Sequence, residues 1–491
     1  MFLSAFERPD FAERTAIIFR GYKFTYGKVA AEARDIAGGL QSLGVCQGDR
    51  VGLHFRNSDE FVASYLACYW IGAVAVPLRY HESTDLLIPY CNDLGVKCVM
   101  ADDRLVGRIA SRVTELTSTR TVVTPLGAKI GFDETKYLRV ANDGKPLLIV
   151  HTSGSTARPK AVMQGLHALT TRAHALIEYM PFRPDDVVCV VSDLSHGFGL
   201  HTLATAAFAV GAAVMIFDQA EFDPTRIIHE ASREGATILG ANPTNLRRLL
   251  RVARDASELP KLRFALSSTD KLPNDVALQW QEVFAAPLLE AWGMTEACSC
   301  VLFNRPDDHK VGTVGRPLPI VQARIVGTDG HDVPDGDVGE LWLAGDFLAS
   351  GYWNEPEATL QVFSDGWLKT GDQFIRDPSG RYRFVGRGWH IIKHGGVGVS
   401  PFEVENAMMR HPAIAQCVAI GVPSDEWGQD VEVFVALRSP VSAAELRLHA
   451  AETLSLAGRP ARYWSVPAIP ETSAGKVARK IADYAGAKPL E

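Results

Sequence analysis

Hydroxyl-bearing residues, a glycine and a lysine converge in the stretch PLLIVHTSGSTARPKAVM, residues 146–163. An apolar run leads into Thr152, Ser153, Gly154, Ser155 and Thr156, and Pro159 and Lys160 precede a second β-like run. Small residues let backbone N–H groups approach phosphate oxygens, and an ammonium neutralises part of their charge, so such a loop suits the β- and γ-phosphates of a nucleotide. It is not the GxxxxGK[ST] loop, because no glycine precedes Lys160 and no Ser or Thr follows it. Taken alone, the segment reads equally well as a surface Ser/Thr hairpin. Other chemistry-bearing side chains sit among small neighbours: Trp292, Thr295 and Glu296 in AWGMTEA, Asp372 ending GWLKTGD, and Lys476 in PETSAGKVARK. Each has a bland reading by itself: Glu296 as a solvated helix-start carboxylate, Asp372 as a turn residue, Lys476 as a surface charge. Cys298 and Cys300 lie close together, but two sulfurs without a nearby His make a poor metal site.

The elements that must position these residues follow from periodicity. From Phe24, FTYGKVAAEARDIAGGLQSLGVCQGDRVGLHF sets a helical apolar period before a short β-rich run, which predicts α/β layering. Apolar runs at 187–191, 212–217 and 237–239, separated by helical stretches such as 224–234, predict strands inside a helix-covered sheet. After Gly312, turns rich in Gly, Pro and Asp separate β-like runs at 340–344 and 381–385, predicting a β-rich subdomain over about 312–385. Beyond Gly386, the glycine-rich RGWHIIKHGGVGVS precedes a helical stretch at 403–409 and an alternating strand at 431–437. The expected fold is α/β: a large N-terminal domain of helix-covered sheets with its β-rich subdomain (1–385), then a small α+β C-terminal cap domain (386–491).

With 491 residues, the chain exceeds the size at which one core keeps growing, so at least two domains are expected. A hydrophobic fraction of 47%, 22% charged residues and a mean hydropathy of +0.01 are those of an ordinary globular protein. The net charge of -7 excludes a protein whose main work is to coat nucleic acid. The 8 cysteines form no CxxC pair and suggest neither a disulfide framework nor a zinc ribbon. Glu7, Arg8 and Asp10 interrupt any signal-like apolar run, and the most apolar stretch, 202–217, is too short to span a membrane and predicts a buried helix running into a strand. A cytoplasmic enzyme with no membrane or nucleic-acid partner is expected. No internal repeat or low-complexity tract is present.

Taken together and in order, the phosphate loop, AWGMTEA, GELWLAGDFLASGYWNEPEAT, GWLKTGD, GRGWHIIKHGG and PETSAGKVARK resemble the motifs of the adenylate-forming superfamily of acyl- and aryl-CoA ligases, carrier-domain adenylation enzymes and luciferases. The resemblance covers nearly the whole chain. It implies an enzyme that uses ATP and Mg2+ to convert a small carboxylic acid to an acyl-AMP and then passes the acyl group to a thiol, with CoA as co-substrate. It also implies the site. Thr152 to Thr156 and Lys160 would hold phosphates; Trp292 and Gly293 would face adenine, with Thr269 and Asp270 beside the nucleotide. Thr295 would meet the α-phosphate, and Glu296 would be the magnesium ligand. Asp372 would accept from the ribose hydroxyls, and Arg387 would reach the same sugar from the domain border. Lys476 would stabilise charge on the α-phosphate as the carboxylate attacks. The cap would rotate between steps about a hinge near 387–390.

For the acid, SDLSHGFGLHTLATAAFAVGAA matches the CoA-ligase pattern in length, and its Gly-Phe-Gly-Leu run resembles the benzoate-type aryl-CoA ligases. His196 stands at the gate and is carried over beside the catalytic Lys476, Thr295 and Glu296. The implied acid pocket is His196, Phe198, His201, Asn242, Ser267, Ser268 and Met294, suited to a flat ring with a polar substituent; His201 and Asn242 also read as core or capping residues. His394, Gly395 and Gly396 resemble the CoA tunnel. Loading of an aryl, acyl or amino acid onto a holo-carrier protein is the alternative, and a non-catalytic acyl-AMP or CoA sensor is the reading from another class. The sequence departs from the pattern at Ala157 and Ala161, where glycine is usual, at Trp389 in the hinge, and at Ser268, Thr269 and Asp270, which replace a Gly-Gly-Ala type segment.

Overall fold

In the computed structural model, which describes residues 2–119, 121–128, 145–152, 160–388, 391–395, 397–471 and 477–491, helices start and stop where local chemistry dictates. Thr25 caps the helix Tyr26–Ser42 by accepting from the Lys28 N–H, and Val29, Ala30, Ala33, Ile36, Ala37 and Leu40 give it a buried stripe at helical spacing. Its partner Asp59–Trp70, capped by Ser58, is buried nearly all round because it lies between layers. The helix Pro224–Glu234 has Asp223 as its cap, Pro224 in its first turn and Gly235 in the left-handed conformation at its end.

Among the described residues the strands form four sheets. One runs Arg316–Pro317, Ser299–Phe303, Leu288–Met294, Phe264–Ser267, Ile238–Ala241, Val187–Val190, Ala213–Ile216, Thr15–Phe19, Tyr22–Thr25 and is parallel through its centre. A second runs Gly351–Tyr352, Ala161–Gly165, Pro146–His151, Val74–Arg79, Arg50–Phe55, Val96–Ala101, Thr121–Val123. One continuous apolar core, with Ile17 and Val188 from the first sheet, Leu53 and Leu148 from the second, and Ile36 and Leu66 from the helices between, ties the layers together. The predicted strands and the helix at 224–234 are present. The 202–217 stretch is buried as expected, but its helix opens as a π-helix, Phe198–Ala204, before the regular Thr205–Val210. The Thr205 hydroxyl donates to the Leu200 carbonyl there, a wide turn that hydrophobic periodicity does not encode.

The β-rich part is an antiparallel sheet of Gln322–Val326, Val338–Ala344, Trp367–Arg376 and Phe363–Ser364, with Tyr382–Arg387 paired to the long strand. A smaller C-terminal domain follows, in which the hairpin Ile414–Ser424 and Gly428–Leu437 packs on the helix Pro401–Met408 and carries its own core. No helix among the described residues is long and apolar enough to cross a membrane.

Candidate active site

The phosphate-loop strands form the antiparallel hairpin Pro146–His151 and Ala161–Gly165, closed where the Thr152 N–H donates to the Lys160 carbonyl at 2.9 Å. Ser153, Gly154, Ser155, Thr156 and Ala157 lie outside the described residues. Ala161 is an ordinary strand position whose Cβ joins an apolar cluster, so its departure from glycine costs nothing locally. The edge strand Gly351–Tyr352 pairs with this hairpin, which sets the Tyr352 ring 4.6 Å from Lys160 Nζ. Tyr352 Oη donates to Glu296 Oε1 at 2.8 Å, and Gln164 Nε2 donates to the Thr295 carbonyl at 2.8 Å. Burial and the neighbouring Glu296 push the Tyr352 phenol well up, so it stays a donor.

Trp292 ends the parallel part of the first sheet, and the turn Thr295–Ala297 reverses the chain into Ser299–Phe303. A Cβ at Gly293 would collide with the Ser299 carbonyl and the Cys300 backbone, so only glycine fits this approach. Trp292 Nε1 donates to Asp372 Oδ2 at 3.0 Å, while Arg387 Nε lies 3.0 Å from Asp372 Oδ1. Asp372 and Arg387 are direct cross-strand partners in the β-rich sheet. Burial pushes the Asp372 carboxyl up to about 6, against the pull of Arg387 and the indole N–H.

The segments expected to line the acid pocket are built on irregular backbone. Thr269, Cys298 and Ser299 have φ of 78°, 55° and 107°, a region that costs a non-glycine residue roughly 1–3 kcal/mol and that clusters at functional sites. The Thr202 and Ser299 hydroxyls lie 2.9 Å apart, and Ser268 Oγ lies 3.2 Å from Cys300 Sγ. A Cβ at Gly197, between His196 and Phe198, would lie 3.2 Å from Ser299 Cβ, and Met294 is the cross-strand partner of Ser299. Gly197, Thr202, Ser268 and Met294 therefore all border the start of the strand Ser299–Phe303. Burial and the charge of Arg172 drive His201 down to about 3, so it is neutral. Asn242 spends its side-chain oxygen capping the helix Pro243–Leu250, accepting from the Asn245 N–H at 2.8 Å, and Ser267 Oγ is buried with no hydrogen-bond partner. Asp270 Oδ1 accepts from the Lys271 N–H at 2.8 Å, a local turn contact.

Lys476, Trp389 and Gly396 lie outside the described residues. The chain on either side of Lys476 is pinned: Glu471 and Val477 pair across the gap, Glu471 lies 3.5 Å from Arg248 of the helix Pro243–Leu250, and Arg479 makes a buried ion pair with Glu405. His394 Nδ1 lies 2.9 Å from the Gln429 carbonyl, and its ring stacks on Trp427 at 5.1 Å. Gly395 has φ of 57°, and a Cβ there would meet the Trp427 ring at 2.9 Å.

Sequence reasoning missed Tyr352, Trp427 and a network behind the phosphate loop. His151, the residue before Thr152, places Nε2 3.0 and 3.1 Å from the Glu82 oxygens, and Arg79 donates to the His151 carbonyl and to Glu82. Although burial opposes it, the His151 bond with the Arg79 charge holds Glu82 below its usual range; burial lowers His151 as well. A neutral imidazole thus donates to a carboxylate at the foot of the loop. Tyr352 stood inside a quoted motif, and its aromatic ring beside two glycine-bounded runs was the available signal.

A family model described as AMP-binding enzyme matches residues 7–353, and one described as AMP-binding enzyme C-terminal domain matches residues 403–476. The 3-hydroxybenzoate--CoA/4-hydroxybenzoate--CoA ligase of Thauera aromatica is 29% identical, covering 95% of this chain and 92% of its own. An anthranilate CoA ligase crystallised with anthranoyl-AMP superposes with a TM-score of 0.89 at 25% identity, covering 97% of this chain and 95% of its own. ATP-bound MatB from Rhodopseudomonas palustris gives a TM-score of 0.89 at 28% identity, covering 97% and 96%.

Proposed function

The chain belongs to the AMP-binding enzyme family, and from that premise we propose that it is an AMP-forming acid–CoA ligase acting on an aromatic acid. A carboxylate oxygen attacks the α-phosphorus of ATP, releasing pyrophosphate and leaving an acyl-AMP; the CoA thiol then attacks the acyl carbon, and AMP leaves. One observation carries the reading: Trp292, Asp372 and Arg387 are joined in one corner, and Lys160, Tyr352 and Glu296 in the next, so adjacent groups answer the base, sugar and phosphates of one nucleotide. The hydroxybenzoate and anthranilate substrates in the names of relatives support an aryl acid.

Each residue then has a task. The Trp292 face takes adenine, and its N–H keeps Asp372 aimed at the ribose diol, which Arg387 reaches from the other side. Thr295 and Lys160, with the loop 153–156, hold phosphate oxygens. Glu296 is a buried carboxylate, a hard oxygen ligand that suits a magnesium ion taking most of its ligands from phosphate and water. Magnesium would supply charge neutralisation on the phosphates; Tyr352 orients the Glu296 oxygens for it. Lys476 supplies charge to the α-phosphate in the first step. A hinge at 387–390 lets the cap, 386–491, turn against 1–385 so that His394 and Gly395, with the exposed Trp427 face, line the thiol path for the second. The enzyme works in the cytoplasm on soluble partners.

Free CoA is the acceptor in this reading because His394 and Gly395 match the CoA-ligase lining and the relatives named above are CoA ligases. AMP release measured with saturating CoA and, separately, with a holo-carrier protein tests it. Faster turnover with the carrier would transfer the second step to a protein-bound pantetheine.

A further inference from the structure

Three ionisable side chains meet beside the hairpin Pro146–His151 and Ala161–Gly165, at the end that leads into Thr152. His151 closes the first strand and is buried, its ring 4.7 Å from that of Tyr90. Its Nε2 lies 3.0 and 3.1 Å from the two Glu82 oxygens, and the Arg79 guanidinium donates to the His151 carbonyl at 3.3 Å and to Glu82 at 3.4 Å. Arg79 ends the strand Val74–Arg79, the parallel neighbour of Pro146–His151, and Glu82 lies in the turn that follows. Main chain and side chain of residue 151 are therefore both clamped from one neighbouring strand and its exit turn.

His151 is also the last strand residue before the loop. It faces Ala161 across the hairpin, and the next rung is the Thr152 N–H on the Lys160 carbonyl. One residue beyond Ala161, Val162 faces Tyr352, whose ring takes Lys160 Nζ at 4.6 Å and whose hydroxyl holds Glu296. A shift of residue 151 along its strand would move Thr152 and Lys160 out of register and carry Lys160 away from Tyr352. A buried ionic network stabilises a fold little more than apolar packing of the same volume, because desolvation offsets most of the attraction; its best-attested use is fixing register.

We propose that Glu82 is a positioning residue for the terminal phosphates of ATP, acting through His151 and Arg79 to fix the register at which Thr152 and Lys160 face the nucleotide. The inference rests on the assignment of this hairpin to the phosphates made above, and it adds a residue that touches neither ATP nor metal. Because acyl-AMP has no β- or γ-phosphate, the network serves acyl-AMP formation and its reversal, and thioester formation does not depend on it.

The test separates the half-reactions. KM for ATP and for pyrophosphate is read in acid-dependent pyrophosphate exchange, and KM for chemically supplied acyl-AMP is read in thioester formation with CoA. Glu82→Ala and His151→Phe, the second keeping a ring against Tyr90, should each raise KM for ATP and pyrophosphate about tenfold, the scale of one buried charge-assisted hydrogen bond. KM for acyl-AMP should move less than about twofold. Glu82→Gln still offers an oxygen to the His151 N–H and should recover part of the loss. Glu82→Ala combined with His151→Phe should be no worse than the worse single change, because both remove one contact. Equal losses of kcat/KM for ATP and for acyl-AMP would make the network purely structural and overturn the proposal. An unchanged KM for ATP in His151→Phe and Glu82→Gln enzymes that melt as wild type overturns it as well, whether or not Glu82→Ala folds. Lys160→Ala tests the reading beneath. If it raises KM for ATP while the network variants do not, only the role of Glu82 falls; if it leaves KM for ATP and pyrophosphate unchanged, the phosphate assignment falls and the proposal with it.

Discussion

In the corner proposed to take the nucleotide, Trp292, Asp372 and Arg387 hold one another and Tyr352 holds Glu296; in the segments proposed to take the acid, Arg172 Nε, His201 Nε2 and Ser267 Oγ are buried without a partner. The first arrangement is held by side chain-to-side chain contacts, with Asp372 Oδ1 buried and left only its ion pair to Arg387, as suits a carboxylate that completes its hydrogen bonds on a co-substrate that is always the same molecule. The second is braced largely on backbone carbonyls and left-handed backbone, with Arg172 gripping the His201 and Cys300 carbonyls from behind. Changes at the nucleotide end should therefore scale the rate by one factor for every acid, and changes at the acid end should reorder the acids.

The largest effect is expected from Lys476→Ala. Loss of one preorganised positive charge should lower acyl-AMP formation by ~10²–10³-fold, equally for all acids, and spare thioester formation from chemically supplied acyl-AMP. Single-turnover measurement of the two half-reactions checks this; equal losses in both would make the lysine structural.

Asp372→Asn comes next. Losing charged acceptance from the ribose should raise the KM for ATP roughly 10–100-fold, without changing the order of preference among acids. The pH dependence carries a sign. With its carboxyl raised to about 6, Asp372 is protonated below that pH, so ATP affinity of the wild type should fall as pH drops through 6, and the Asn variant should lack this limb. Folding has the opposite trend. Because the folded form holds the proton more tightly than the unfolded chain, this residue costs stability as pH rises from about 4 through 6, and the Asn variant should melt higher than wild type at pH 7.

Glu296→Gln should raise the magnesium requirement about tenfold with the fold intact. Tyr352→Phe, which removes only the donor to Glu296, should shift the same magnesium curve about threefold, in line with one net hydrogen bond of ~0.5–1 kcal/mol. A Tyr352→Phe effect confined to one acid would move Tyr352 to the acid end and blur the contrast.

Trp292, Glu296 and Asp372 could be singled out in the sequence because they fall in short ordered stretches, and the structure brings Trp292 to Asp372. The β-rich sheet was equally legible, since Gly, Pro and Asp turns bound its strands. The acid end was not. Arg172 reads as one more charge on a polar helix, although its spacing from Ala168, Ala175 and Leu176 was a usable sign of the buried face. Glu82 and His151 are 69 residues apart, and no local pattern announces their pairing. Asn242 was open to both a pocket and a capping reading, and its side-chain oxygen caps the helix Pro243–Leu250. The π-helical turn and the positive φ values at Thr269, Cys298 and Ser299 arise from tertiary packing, which residue propensity does not record.

The central claim, acid activation by adenylate transfer, is tested most directly by pyrophosphate exchange measured without CoA over aryl, dicarboxylic, short-chain and amino acids. The expected result is label from pyrophosphate entering ATP only when magnesium and a suitable acid are both present, followed on addition of CoA by AMP formed in equal amount to thioester. Exchange that ignores the acid, or formation of ADP and phosphate in place of AMP and pyrophosphate, would contradict it.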